Sequence, residues 1–188
     1  YDRLVGSEMC IRDSNRSIDN GSTWQRINNG LPVFAPNFVD YFAFNSKGHI
    51  YIGTFVGLFR SVDDAASWEK LKSEGIEGLE ISSSGEIFVA YRTAQRETVI
   101  ERSPDDGDSW DDITYDLPES NFSTRLIGID KQDNAFVSQR FDLYRLGSNG
   151  DSWVRADSGA FGFGQSVVFN DRGDLFLGSW GGVFCTTN

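Results

Sequence analysis
Four tryptophans, Trp24, Trp68, Trp110 and Trp153, fall at intervals of 44, 42 and 43 residues. Each closes a copy of one short pattern, Ser-x-Asp-x-Gly-x-Ser/Thr-Trp. The copies at Ser17-Ile18-Asp19-Asn20-Gly21-Ser22-Thr23-Trp24 and Ser103-Pro104-Asp105-Asp106-Gly107-Asp108-Ser109-Trp110 are complete. In Ser61-Val62-Asp63-Asp64-Ala65-Ala66-Ser67-Trp68 an alanine stands at the glycine position. The last copy, Leu146-Gly147-Ser148-Asn149-Gly150-Asp151-Ser152-Trp153, is worn at its first and third positions. A fixed period of about 40–45 residues restricts the chain to a repeat architecture, and this length suits a four-stranded propeller blade.

The pattern reads physically as a hairpin clasp. Ser and Asp side chains bond to backbone groups two to four residues on and close a tight turn. Glycine supplies a position of positive φ at little steric cost, and the tryptophan opens a strand with a ring large enough to cover the edge of a core. One Asp per repeat at a constant offset is what a recurring turn needs. An active site needs unlike residues converging once, so these carboxylates are read as structural.

The segments between the copies superpose. Residues 42–54, 79–90, 127–138 and 167–179 each read as a strand, a tight polar turn and a second strand, with Asn134 placed at the turn of the third. Third strands are predicted at 57–60, 98–102, 143–146 and 182–185, and fourth strands at 24–27, 68–71, 110–113 and 153–156. No segment carries a helical period, so the expectation is an all-β propeller of four-stranded antiparallel blades, about four blade equivalents long.

The repeated pattern resembles the Asp-box, or BNR repeat, of sialidases, sortilin-type receptors, some endoglucanases and many secreted bacterial propellers. The resemblance covers nearly all of residues 15–188 and rests on Ser17, Asp19, Gly21, Trp24, Ser61, Asp63, Trp68, Ser103, Asp105, Gly107, Trp110, Gly150 and Trp153. It implies a propeller with the box between the third and fourth strands of each blade, and an extracytoplasmic protein of bacterial type. It implies no single activity, because one scaffold hosts many. The chain departs from sialidases in lacking a Phe-Arg-Ile-Pro segment ahead of its first box.

Residues 1–14 fit nothing downstream and resemble translated sequencing-adapter sequence; the other reading is an irregular third strand entering the first box. At the far end, residues 186–188 align with Ser61-Val62-Asp63, inside what would be a fifth box. Two accounts follow. One is a fragment of a larger propeller, whose open blade edges would favour self-association. The other is a four-bladed ring in which residues 24–27 complete the last blade. The net charge of −11 leaves no basic stripe for nucleic acid or an anionic membrane. No apolar run approaches a membrane span. Cys10 and Cys185 suggest no disulfide framework, no cofactor or metal motif is present, and His49 is expected to be solvated.

Strand order puts the loops that could hold a ligand at the end of the blades opposite the boxes. Phe38, Tyr41, Phe122, Phe163 and Trp180 lie there, with Arg92, Arg125 and Arg140. Aromatic faces suit sugar rings or apolar peptide side chains, and the arginines suit anionic groups; the same aromatics could instead plug the channel between blades. Arg92 and Arg96 could also pair locally with Glu97 and Glu101. Asp40 and Glu119, two blades apart, are candidates for the paired carboxylates of a glycosidase. The function expected is a non-catalytic scaffold or a recognition module for protein or carbohydrate. A glycoside hydrolase with part of its site elsewhere is the alternative, and a periplasmic sensor input domain the third.

Overall fold
The computed structural model describes residues 14–32, 39–118, 124–139, 141–147, 150, 152–156 and 164–186. Among them all regular structure is strand. β1 (Asn15–Arg16) and β2 (Gln25–Arg26) make a two-stranded ribbon. Blade 1 comprises β3 (Val39–Phe44), β4 (Ile50–Thr54), β5 (Gly57–Ser61) and β6 (Glu69–Lys72). Blade 2 comprises β7 (Ile76–Ile81), β8 (Ile87–Arg92), β9 (Thr98–Ser103) and β10 (Asp111–Asp112). Blade 3 comprises β11 (Thr124–Ile129), β12 (Ala135–Gln139), β13 (Asp142–Leu146) and β14 (Trp153–Arg155). Blade 4 has three strands, β15 (Gly164–Phe169), β16 (Leu175–Ser179) and β17 (Gly182–Cys185). Every sheet is antiparallel with its strands in chain order, as in a β-propeller. β2 pairs with β1, so the strand that was one option for completing the last blade lies in the ribbon.

The blades stack face to face, which explains why the second strands are apolar on both sides. In β4, Tyr51 points to blade 2 with Leu58, against Leu79, Ile87 and Val89. Ile52 points the other way with Phe59 and Trp68, against Ile27 and Leu31 beside the ribbon. Phe88 and Ile113 of the blade 2 region meet Leu126 and Trp153 across the next seam. Ile127 and Phe136 meet Val167 and Leu177 across the last. An apolar run of four to eight residues bounded by turns is what a strand buried on both faces requires.

Each of the first three boxes closes by a type I′ turn. Asn20-Gly21, Asp64-Ala65 and Asp106-Gly107 are consecutive left-handed pairs, and Ser22, Ala66 and Asp108 donate back to the carbonyls of Asp19, Asp63 and Asp105. Ala65 thus keeps φ +66 without being glycine. The hydroxyl of Ser17, Ser61 or Ser103 accepts the amide four residues on, and the Asp carboxylate accepts both the amide and the hydroxyl of Thr23, Ser67 or Ser109. Two of the tryptophans also lock to the preceding repeat: Trp68 Nε1 donates to Ile27 O at 3.0 Å and Trp153 Nε1 to Ile113 O at 2.6 Å.

A second repeated device lies one residue before each box. Arg16 donates to the carbonyl of Asp64 in the next box, and Arg60 Nη1 donates to the carbonyl of Asp106 in the box after that, at 2.9 Å. Arg102 sits against the fourth box, where a Cβ on Gly150 would lie 2.7 Å from its Nη1. Asp106 also takes Asn45 Nδ2 at 2.9 Å, the Lys47 ammonium and the Tyr51 hydroxyl. Burial would push the Asp106 carboxyl up, but the Lys47 ammonium and His49 outweigh it and hold it below the ordinary range. His49, expected in solvent, is partly buried with Nδ1 3.9 Å from Asp106 Oδ1, because the box of blade 2 closes over the inner turn of blade 1. In the inner turn of blade 3 the left-handed residue is Asp133, not Asn134.

Candidate functional site
The inner turns and the boxes share one end of the blades, so the first strands begin at the other. There each first strand places one polar residue five positions before its inner turn: Asp40, Glu77, Arg125 and Gln165. Three of these sit at β-bulges, since the pairing slips between Val39 and Tyr41, between Ile76 and Gly78, and between Gly164 and Ser166. A bulged residue leaves the ladder and its side chain is re-aimed, a device common beside binding sites. In β11 the slip comes later, between Leu126 and Gly128, so Arg125 stays paired with Ser138 and turns toward blade 4.

These residues contact one another across the blades. The Tyr41 hydroxyl donates to Glu77 O at 2.6 Å. The Arg92 Nε lies 3.3 Å from Glu77 Oε2, and Arg125 Nη1 donates to Gln165 Oε1 at 3.2 Å. Burial pushes the Tyr41 phenol up; the Arg125 guanidinium opposes this, while Asp40 and Glu77 add to it. Tyr41 is therefore the half-buried centre of a rim that carries both signs of charge. Below it, Glu80 lies on the same face of β7 as Gly78, toward blade 3, and burial raises its carboxyl.

Outside this rim the hairpins between second and third strands carry exposed aromatic rings: Phe55, Phe141 and Trp180, the last 80% exposed. Their loops are tied from within. Thr54 Oγ1 donates to Gly57 O and accepts Val56 N, and Ser179 Oγ donates to Gly182 O and accepts Gly181 N. Buried Gln139 Nε2 donates to Thr124 Oγ1 and Pro118 O and anchors the end of β12 ahead of Phe141. Gly75 admits the Phe55 loop, because a Cβ there would lie 2.6 Å from Phe55 O.

Of the residues singled out in the sequence, Asp40, Tyr41, Arg92 and Arg125 come together at this end, and Trp180 stands beside them in the outer set. Phe38, Glu119, Phe122, Arg140 and Phe163 lie outside the described residues. Arg92 does not pair with Glu97 or Glu101. It reaches Glu77, while Glu101 is taken by Lys72 from blade 1, because strand packing brings β6 and β9 together across the seam. Glu77 and Gln165 fall within the loops considered at that end but were not singled out; their signal is the constant offset from the inner turns. At the box end, a polar cleft of about 190 Å³ lies between blades 2 and 3 beside Arg102, Glu86 and Asp133. Among the described residues, no group of three His, Cys, Asp or Glu could hold a metal.

No family model matches the chain, and no curated protein matches it. Solved structures do. It is similar to YCF48 bound to D1 peptide, with a TM-score of 0.68 at 13% identity over 93% of this chain and 57% of that one. The GH74 xyloglucanase from Xanthomonas campestris gives 0.71 at 17% identity over 93% of this chain and 33% of the enzyme. The extracellular domain of a putative hybrid two component system from B. thetaiotaomicron gives 0.66 at 13% identity over 94% of this chain and 26% of that one. The chain thus spans from about a quarter to somewhat over half the length of these structures. At such identities the likeness establishes the architecture, and the chain has the fold of a β-propeller.

Proposed function
We propose that the chain is a non-catalytic recognition module that binds a polypeptide or carbohydrate on the face opposite its boxes, in an extracytoplasmic protein. The observation that carries this reading is the arrangement of that face, with Asp40, Glu77, Arg125 and Gln165 at its centre and Phe55, Phe141 and Trp180 around it. Flat rings bury large area at small entropic cost, and a few polar groups of both signs fix orientation. The same reading takes the repeated turn as an Asp-box, supported by its hydrogen bonds and its spacing. Support comes also from the similar structures: one is bound to a peptide, and others are a xyloglucanase and the extracellular domain of a putative hybrid two component system.

A glycoside hydrolase is the second reading, favoured by the exposed Asp40 at the rim together with the likeness to GH74 enzymes. Screening against peptide and glycan arrays, with Arg125→Ala and Trp180→Ala in parallel, tests the first reading. Binding should fall at least tenfold in both variants while the melting temperature holds. Ligand release that is catalytic and lost in Asp40→Asn would replace it with the second.

A further inference from the structure
The box of blade 2 meets blade 1 in a filled seam. The Lys47 ammonium reaches the Asp106 carboxylate, the Tyr51 hydroxyl donates to the carbonyl of Asp106, and Arg60 donates to that carbonyl and to Asp108 Oδ1. Blade 2 meets the box of blade 3 through the equivalent positions, and there the filling side chains are cut short. Ser84 stands where blade 1 has Lys47, and Phe88 where it has Tyr51. An ammonium on its four-carbon stem and a phenolic hydroxyl are thereby lost. The polar cleft of about 190 Å³ opens at these substitutions, between Ser84, Glu86, Phe88 and Arg102 on one side and Gly147 and Gly150 of the box on the other.

Arg102 lacks the bond that its counterparts make. Arg16 and Arg60 each donate to a carbonyl of the following box. Among the described residues the Arg102 guanidinium makes no hydrogen bond. Its Nε is buried without an acceptor, and Glu86 Oε1 lies 3.9 Å away, beyond hydrogen-bond reach. A guanidinium presents a rigid fork of donors and a carboxylate only accepts. A group that fills the gap must therefore accept from Arg102 and donate to Glu86.

That requirement selects the ligand. An anion would face the carboxylates of Glu86 and Asp133 in a chain of net charge −11, and a cation would face Arg102. Asp133 is already held by the amide and hydroxyl of Ser83 and by the amide of Ser84, so it braces the wall. A neutral group that both donates and accepts is left, and each hydroxyl does both. The cleft is smaller than the roughly 300–1,000 Å³ of sites for drug-sized ligands and suits a single ring. We propose that this cleft, at the box end between blades 2 and 3, binds one neutral hexose residue. Adjacent hydroxyls of the ring accept from Arg102 and donate to Glu86, with Phe88 as the apolar floor. The site is separate from the face opposite the boxes and does not depend on what that face binds.

Titration of the nitrogen-15-labelled chain with the methyl glycosides of glucose, galactose and mannose tests the proposal, up to about 50 mM, where a millimolar site is nearly saturated. At least one glycoside should shift the amides of Ser84, Glu86, Gly147 and Gly150. Arg102→Met and Glu86→Ala should each weaken that binding at least tenfold, and Trp180→Ala should leave it unchanged. Ser84→Lys restores the plug that blade 1 carries, so it should abolish binding while the melting temperature holds, which separates loss of the site from loss of the fold. No shift with any glycoside would overturn the proposal. Shifts with sulfate or acetamide alone would overturn it too, giving the cleft to an anion or an amide. A Ser84→Lys variant that binds as well as the parent would place the sugar elsewhere.

Discussion

The Lys72 ammonium sits 4.3 Å from the centroid of the Trp110 ring and pairs with Glu101, so that one cation of blade 1 is enclosed by the outer strands and box of blade 2. Tyr91 adds a second ring 5.5 Å away. Removing one partner of a largely shielded pair leaves the other charge poorly compensated. Lys72→Met should lower stability by about 3 kcal/mol in urea unfolding. The double variant with Glu101→Leu should recover most of that loss, since two apolar groups can replace a buried ion pair at little cost. A double variant no better than the single one would show that the rings, not the charges, hold this seam.

The boxes make acid stability predictable. The hydroxyl and amide of Thr23 and Ser67 hold the carboxyls of Asp19 and Asp63 down, to about 2 from an ordinary 3.8. Ser109 lowers Asp105 in the same way. A carboxyl depressed in the folded state is protonated first in the unfolded chain, so its contribution is complete above pH about 4 and lost as pH falls through about 2. Thermal melts from pH 6 to pH 2 should show the midpoint falling below pH 4. Replacing Asp19, Asp63 and Asp105 together by Asn should flatten that fall.

Ala65 and Gly107 occupy the same left-handed position, and the structure separates their costs. At Gly107 a Cβ would lie 2.5 Å from Leu71 Cδ1 with φ +100, so Gly107→Ala should destabilise by about 2 kcal/mol through strain and overlap. At Ala65 the methyl is already buried beside Leu31, Ile52 and Phe59. There, relief of roughly 1 kcal/mol of strain in Ala65→Gly is opposed by about 0.8 kcal/mol of lost burial, so the change should be nearly silent. Paired denaturation curves decide both.

The box tryptophans are equivalent in sequence but not in energy. Trp153 is buried and bonded to Ile113 O, so Trp153→Ala should cost about 3–5 kcal/mol. Trp24 is 65% exposed, and Trp24→Ala should stay within about 0.5 kcal/mol. A large loss at Trp24 would mean that another surface covers it in solution, and the effect would then depend on protein concentration.

The architecture was legible because a turn built from local hydrogen bonds leaves its donors and acceptors at fixed offsets. Ser103, Asp105 and Ser109 write their own bonds into the sequence. Contacts made across a seam leave no such record. His49 looks like a solvated turn residue until Asp106, 57 positions later, is folded over it. Arg92 has acidic neighbours in sequence, yet its partner is Glu77 on an adjoining strand. The bulges that free Asp40, Glu77 and Gln165 depend on how pairing slips in the folded sheet, which alternation alone does not encode. The arginine ahead of each box is a middle case. Its recurrence at 16, 60, 102 and 145 is visible in the sequence, but its acceptor belongs to the following repeat.

That acceptor is a main-chain oxygen. The bond to a carbonyl makes no demand on the side chain at that position, although Arg16 and Arg60 also meet the carboxylates of Asp64 and Asp108 in the same boxes. A joint carried partly by the backbone suits an array in which each repeat contacts only its neighbours. Divergence is then free to concentrate at the opposite end of each blade, where the rim residues already differ from one repeat to the next as Asp40, Glu77, Arg125 and Gln165.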